Sequence, residues 1–256
     1  MTLHGVTNCP EDKDISVDVL RQVTPTLLKR FGIDMEDFQI KVVKRSCNNK
    51  GGGQVDVRLP ALRQSLSPID LCDFGKVKRI RGTVFTARVA PVTASRVATA
   101  ARGIFNRLLP DVWLYTEHAK GAGAASAGYG AYAVAETTTG VSVSTECFGA
   151  SRCLANGLKI ENAEDMGRAL AHMLLQEVSH APCVDGAHQT LVLTLMALGP
   201  EDVSKVRTGP LTKNAIKVLR LLREVLDVTF RATEEKNGVV LSCLGAGFVN
   251  MHHAES

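Results

Sequence analysis

Apolar residues recur at steps of three and four over 17–31 (Val17, Leu20, Val23, Leu27, Phe31), the stripe of an amphipathic helix. Pro25 lies inside that stripe and predicts a kink or a late start, and Gly32 a C-terminal cap. Phe38 to Lys44 reads as a strand. After the Gly51-Gly52-Gly53 turn, Val55, Val57 and Leu59 alternate with Gln54, Asp56 and Arg58, which predicts a second strand. Pro60 and Pro68 bracket a connection. A further strand covers 77–89, with basic residues threaded through it. A helix over 93–109, opened by Thr93 or Ser95, carries Val97, Ala101, Ile104, Phe105 and Leu108 and stops at Pro110. Val112 to Thr116 is a strand, 121–130 a loop of small residues, and 131–137 with 141–147 a hairpin around Thr139-Gly140.

The last hundred residues read as more helical. Asn162 with Asp165 resembles a capping box and opens a helix carrying Met166, Leu170, Met173, Leu174 and Val178. Leu191 to Leu198 is apolar on every face, which predicts a central, fully buried helix. Thr212 caps a helix bearing Ile216, Leu219, Leu222 and Leu226. Strands at 228–233 and 239–244 follow, joined by Lys236-Asn237-Gly238. Helix, link, strand, tight turn and strand thus occur at 17–59, again at 213–244, and more loosely at 93–137. Such repeats stack helices on one face of several small sheets, so the class is α+β rather than a doubly wound parallel sheet.

Composition changes this picture little: 256 residues at 45% hydrophobic and 22% charged can bury a core without crosslinks. No run of 18 apolar residues is present, and Met1 to Asp14 is too polar for a signal peptide. Charge changes it more. Residues 1–40 carry four Lys/Arg against seven Asp/Glu, residues 41–110 fourteen against three, and residues 111–256 twelve against sixteen. The net charge of +4 therefore conceals a segment of +11, which points to a polyanionic partner or to a solvated basic face. The seven cysteines (9, 47, 72, 147, 153, 183, 243) show no C-x-x-C spacing, so free, mostly buried thiols are expected. His252 and His253 sit at the end of the chain, and no metal site is predicted.

Three segments could carry chemistry. Gly51 to Gly53, beside Lys44, Arg45 and Lys50, could bring backbone close to a phosphate, or simply form a turn that needs positive φ. Lys76-Val77-Lys78-Arg79-Ile80-Arg81 places cations on both faces of a strand, which suits a sheet edge or a contact surface that holds phosphates. Phe85, Trp113, Tyr115, Tyr129 and Tyr132 could stack on bases, but most are expected in the core. His188, at a helix start after Asp185, is a nucleophile candidate or a first-turn surface residue capped by Asp185. Glu136 and Glu146 are expected as exposed strand positions rather than a carboxylate pair.

The run Arg45-Ser46-Cys47-Asn48-Asn49-Lys50-Gly51-Gly52-Gly53-Gln54-Val55 resembles the signature of RNA 3'-terminal phosphate cyclases, Arg-Gly-x-x-Pro-x-Gly-Gly-Gly-x-hydrophobic, with Ser46 for Gly and Asn49 for Pro. Leu3 to Asn8, Lys78 to Gly82, Val134 to Thr137, Cys183 to Asp185 and Asp202 to Val206 extend the likeness in order along nearly the whole chain. Together they are closer to the eukaryotic cyclase-like branch. The resemblance implies repeated two-helix, four-stranded units with a smaller inserted domain: core at 1–75, insert at 76–150 and core at 151–256. It also places Met1 near the middle of the second unit, so the N-terminal third of the family's length is expected ahead of it and an otherwise covered sheet face exposed. The true cyclases attach AMP to a histidine in a His-x-Ala-Asp-Gln motif. Counting back without gaps from Met196-Ala197-Leu198 puts Ala187 at that histidine, with Thr190 and Leu191 at the Asp and Gln. His188 is one residue out of register, a turn of about 100° in a helix.

The cyclase-like branch implies a nucleolar factor in small-subunit ribosomal RNA maturation, without catalytic residues or cofactor. Its partners would be pre-rRNA and a large nucleolar GTPase of the small-subunit processome, with no membrane. The RNA- or partner-binding residues would be Lys44, Arg45, Lys50, Gly51, Gly52, Gly53, Lys76, Lys78, Arg79 and Arg81. The rival readings are an ATP-dependent cyclase using His188, and an rRNA endonuclease.

Overall fold

The computed structural model describes residues 1–8, 15–47, 51–59, 62, 64–149, 160–235 and 238–250. Among these, eleven strands and six α-helices form three sheets, each with helices against it. The architecture is α+β.

The first sheet, ordered β1-β3-β2, consists of β1 (Thr2–Gly5), β2 (Gln39–Lys44) and β3 (Gly53–Arg58), all antiparallel. The stripe predicted as one kinked helix is two: α1 (Val17–Gln22) and α2 (Thr24–Arg30), which meet at Val23. Pro25 has no N–H to give the preceding turn and clashes with the carbonyl four residues back, so it sits in the first turn of a new helix. Gly32, at φ 78°, closes α2: its N–H donates to Lys29 O and that of Ile33 to Leu28 O.

The second sheet is ordered β6-β5-β7-β8, from β5 (Val77–Ala87), β6 (Val112–Ala119), β7 (Gly128–Thr137) and β8 (Ser142–Phe148). Helices α3 (Pro91–Phe105) and α4 (Ala163–Ser179) cover one face, and Ile80, Val84, Val97, Phe105, Leu114, Met166 and Leu170 are buried between them. α3 opens at Pro91 rather than at Thr93 or Ser95, because the fixed φ of proline suits a first helical residue. The looser repeat over 93–137 is not a copy of the other two. β6 runs parallel to β5, and β7 lies on the other side of β5, so β6 and β7 form no hairpin. β5 is consequently an interior strand, not the edge its two basic faces suggested. The bulge between Val77 and Arg79 lifts Lys78 out of the ladder.

The third sheet, β10-β11-β9-β4, is built from β4 (Asp70–Leu71), β9 (Val203–Thr208), β10 (Arg231–Glu235) and β11 (Gly238–Leu244), with α5 (Gln189–Leu198) and α6 (Lys213–Leu226). Lys236 and Asn237 of the expected turn lie outside the described residues. α5 is not buried all round. Val192, Leu193, Met196 and Ala197 are buried, whereas Leu191, Leu195 and Leu198 are partly exposed, because β11 and α6 cover only part of its circumference. One core joins this unit to the first: Leu27 and Phe31 of α2 are in the same buried cluster as Leu193, Met196, Val206 and Leu241.

Candidate functional site

Two buried polar networks lie where the first unit, the β5–β8 sheet and α5 meet. The first is centred on Arg45, just after β2. Only 5% exposed, it is held by Asp18 of α1, 2% exposed, with Nη2 3.1 Å from Asp18 Oδ1. Asn8 donates to the same carboxylate at 2.8 Å, and Arg45 Nη2 reaches Glu117 of β6 at 3.2 Å. The guanidinium lies 4.2 Å from the centre of the Phe85 ring. Burial works against the Arg45 charge, but the hydrogen bond and charge of Asp18, with Glu117, outweigh it and raise its pKa. Nearby, Thr7 Oγ1 donates to Ser46 O and accepts from Ser46 N–H, tying β1 to the loop after β2.

The second network surrounds His188, which is fully buried and forms the residue before α5. Its Nδ1 lies 2.7 Å from Asp185 Oδ1, and its Nε2 3.1 Å from Thr24 Oγ1 at the start of α2. Asp185 Oδ2 accepts from both N–H (2.8 Å) and Oγ (2.6 Å) of Ser144 on β8. Burial alone would raise the Asp185 pKa, but His188 and these two donors hold it below the ordinary carboxylate range. Both ring nitrogens are thus engaged, Nδ1 by Asp185 and Nε2 by the Thr24 hydroxyl. Aspartate, histidine and hydroxyl in sequence have the connectivity of a nucleophile relay. Buried as they are, they tie α2, β8 and α5 together.

His188 is therefore neither the first-turn surface residue expected nor an open nucleophile. Nor is Glu146 an exposed strand position. Its Oε1 accepts from Ser16 N–H at 3.1 Å and its Oε2 is buried with no hydrogen-bond partner among the described residues, so burial raises its pKa, helped by Asp18 and Asp185. Glu136 lies further along β7 and is paired with Arg79 at 2.6 Å.

The structure separates the expected binding residues into two kinds. Lys76 and Lys78 are exposed and Lys44 is half-buried. Arg79 is engaged by Glu136 and Arg81 by Asp111, at 2.9 Å, while Arg45 is internal. Gly51 and Gly52 have φ of 73° and 82°, which only glycine adopts freely, and Gly51 O accepts from Ser46 Oγ at 2.7 Å. Lys50, His252 and His253 lie outside the described residues. Sequence reasoning missed Asp18, Thr24, Glu117 and Ser144, whose partners described above are 10 to 164 residues away. It also missed a groove of about 690 Å³ between α3 and α4, lined by Arg96, Arg107, Arg168 and His172. Phe85 and Tyr132 are buried as expected, but Trp113 and Tyr115 are each 58% exposed. The parity of Val112-Trp113-Leu114-Tyr115 carried that signal, since Val112 and Leu114 take the covered face.

Residues 72–179 match the family described as RNA 3'-terminal phosphate cyclase (RTC), insert domain. The chain is 43% identical to the RNA 3'-terminal phosphate cyclase-like protein of Homo sapiens, over 98% of this chain and 68% of that protein. It is 40% identical to a probable protein of the same name from Arabidopsis thaliana, over 97% and 68%. It is 38% identical to the rRNA processing protein rcl1 of Schizosaccharomyces pombe, over 98% and 68%. A fold of repeated α+β units carrying this insert, matched at such identity along nearly its whole length, places the chain in the RNA 3'-terminal phosphate cyclase-like family.

Proposed function

We propose that this chain is a non-catalytic factor in pre-rRNA processing for the small ribosomal subunit, acting in the nucleolus and holding pre-rRNA, a nucleolar GTPase, or both. The observation that carries the non-catalytic part is His188. It is fully buried, both ring nitrogens are engaged within the protein, and Ala187 stands where the cyclase nucleophile falls in an ungapped count. A histidine that attacks a nucleotide phosphorus needs an open face and a free nitrogen, and this one has neither. The processing role is supported by likeness to the S. pombe protein named for it. The polyanion-facing role is supported by the +11 charge of residues 41–110 and by the exposure of Lys76 and Lys78.

Incubating the protein with ATP labelled in the α-phosphate tests the first part. No covalent adenylate is expected, and an adenylate on His188 overturns it. Cleavage of a pre-rRNA fragment by the pure protein would likewise contradict a non-catalytic role. Reversing Lys76 and Lys78 to Glu is expected to weaken binding to pre-rRNA or GTPase and, if RNA is the partner, to flatten the salt dependence. Unchanged affinity at low and moderate salt removes those two lysines from the interface.

A further inference from the structure

Trp113 and Tyr115 stand two residues apart on the outer strand of the β6-β5-β7-β8 sheet, so both project from the face opposite α3 and α4. Along a strand that spacing is about 6.7 Å. Further across the same face, α1 covers Tyr132 and Val134 with Val19 and Val23, but the β6 end is open. Single exposed apolar side chains are ordinary, but two aromatic rings side by side on one open strand face, each 58% exposed, form a patch that needs an account. Their neighbours on that face are Arg81, opposite Trp113, and Thr83, opposite Tyr115, with Glu117 following on β6.

The shelf is also held in place. Asp111 grips Arg81 through two oxygens, at 2.9 and 3.0 Å, and Arg81 Nη1 is 3.0 Å from Ile80 O. Arg81 lowers the Asp111 pKa. Trp113, two residues on from this pair, is left 58% exposed. Lys76 and Lys78 are exposed at the end of β5 that leads to Arg81.

We infer that Trp113 and Tyr115 form a stacking platform for two unpaired bases of a single-stranded RNA, whose phosphates run along Lys76 and Lys78. The inference rests on the pre-rRNA reading above and adds where the RNA sits and which form of it is bound. Two ring faces accept any base, and point charges beside them hold a backbone, so the expected recognition is of single strand over duplex with little sequence preference.

Trp113 is the sole tryptophan, so its fluorescence reports on this shelf alone. A ten-nucleotide oligouridylate is titrated into the full chain, read by Trp113 emission and by anisotropy of the labelled RNA. Saturable quenching is expected to coincide with the anisotropy curve. Tyr115→Ala is expected to weaken binding roughly 5- to 150-fold, the range of one lost base stack, while the conservative Trp113→Phe retains most of the affinity. An abasic oligomer of equal length and a duplex should bind far more weakly. If RNA saturates the anisotropy while Trp113 emission and the Tyr115→Ala affinity are unchanged, the platform is wrong and RNA binding stands elsewhere. If no RNA binds at low salt, both fail. If only a protein partner alters Trp113 emission, the shelf is a protein interface and the RNA assignment is overturned.

Discussion

Replacing Asp18 with Asn keeps the shape of the side chain and removes its charge, which isolates what that carboxylate does for Arg45. In the native chain Asp18 is 2% exposed and receives Arg45 and Asn8. After the change Arg45 remains inside, its charge facing the half-exposed Glu117, the Asn8 amide oxygen and the Phe85 ring, with no buried carboxylate among these partners. Removing one partner of a buried ion pair costs about 3–5 kcal/mol. At about 2–4 °C per kcal/mol for a chain of this size, the midpoint should fall by roughly 6–20 °C. Thermal unfolding followed by circular dichroism measures that fall, and urea denaturation the free-energy loss, with the slope unchanged and the urea midpoint lowered. Arg58→Ala serves as the comparison. Its ion pair to Asp37 has side chains 71% and 60% exposed, so about 0–1 kcal/mol is expected. Adding Arg45→Met to Asp18→Asn should recover part of the loss, since the stranded charge is gone. An Asp18→Asn protein within about 1 kcal/mol of wild type would refute the reasoning, because Arg45 would then be reaching water.

A Cβ at Gly82, on interior strand β5, would lie 2.4 Å from Tyr132 O, so Gly82→Ala should cost about 1–3 kcal/mol by calorimetry. Gly103→Ala, in the last turn of α3 with nothing within 4 Å of the added Cβ, should gain up to about 0.5–1 kcal/mol. Glu146 and Asp185 should shape the stability–pH curve in opposite senses. The raised Glu146 pKa favours folding below the ordinary carboxylate range, and that contribution is lost as pH rises through the folded value. Glu146→Gln should therefore gain on wild type at pH 7 and lose the gain near pH 4. The depressed Asp185 pKa gives stability above the ordinary range that is lost as pH falls, so Asp185→Asn should flatten the acid limb. Burial pushes the Cys147 and Cys183 thiols to about 12, so iodoacetamide at pH 8 should label them only in urea. Labelling of the native protein would show these two sites opening.

Periodicity served best where one face of an element meets solvent, as in β3, α4 and α6. It failed where the decisive neighbour is remote. Lys76 to Arg81 looked like an edge because cations alternate on both faces, yet carboxylates on β7 and in the turn before β6 absorb Arg79 and Arg81 from either side. The polar residues that make the central networks were each visible as a type. Nothing local couples Thr24 to His188 across 164 positions, or Ser144 to Asp185 across 41. β4 and β9 were missed for a related reason. β4 has two residues, and β9 is recognisable as a strand chiefly by what it pairs with.

That pairing has a kinetic consequence. β4 must find β9 across the whole β5–α4 segment: Lys205 N–H donates to Ile69 O at 2.7 Å. During synthesis at about 5–20 residues per second, β4 emerges roughly 7–27 s before its partner. Val77, where the chain enters the intervening sheet, and Val178, near where it leaves, both pack at the seam of the two largest clusters. Once that sheet has formed, the open loop between β4 and β9 shrinks to about a quarter of its contour, which lowers the closure cost by about 1 kcal/mol. The middle of the chain thus sets the order of events. It holds the first strand of the final sheet in position until the ribosome delivers the second.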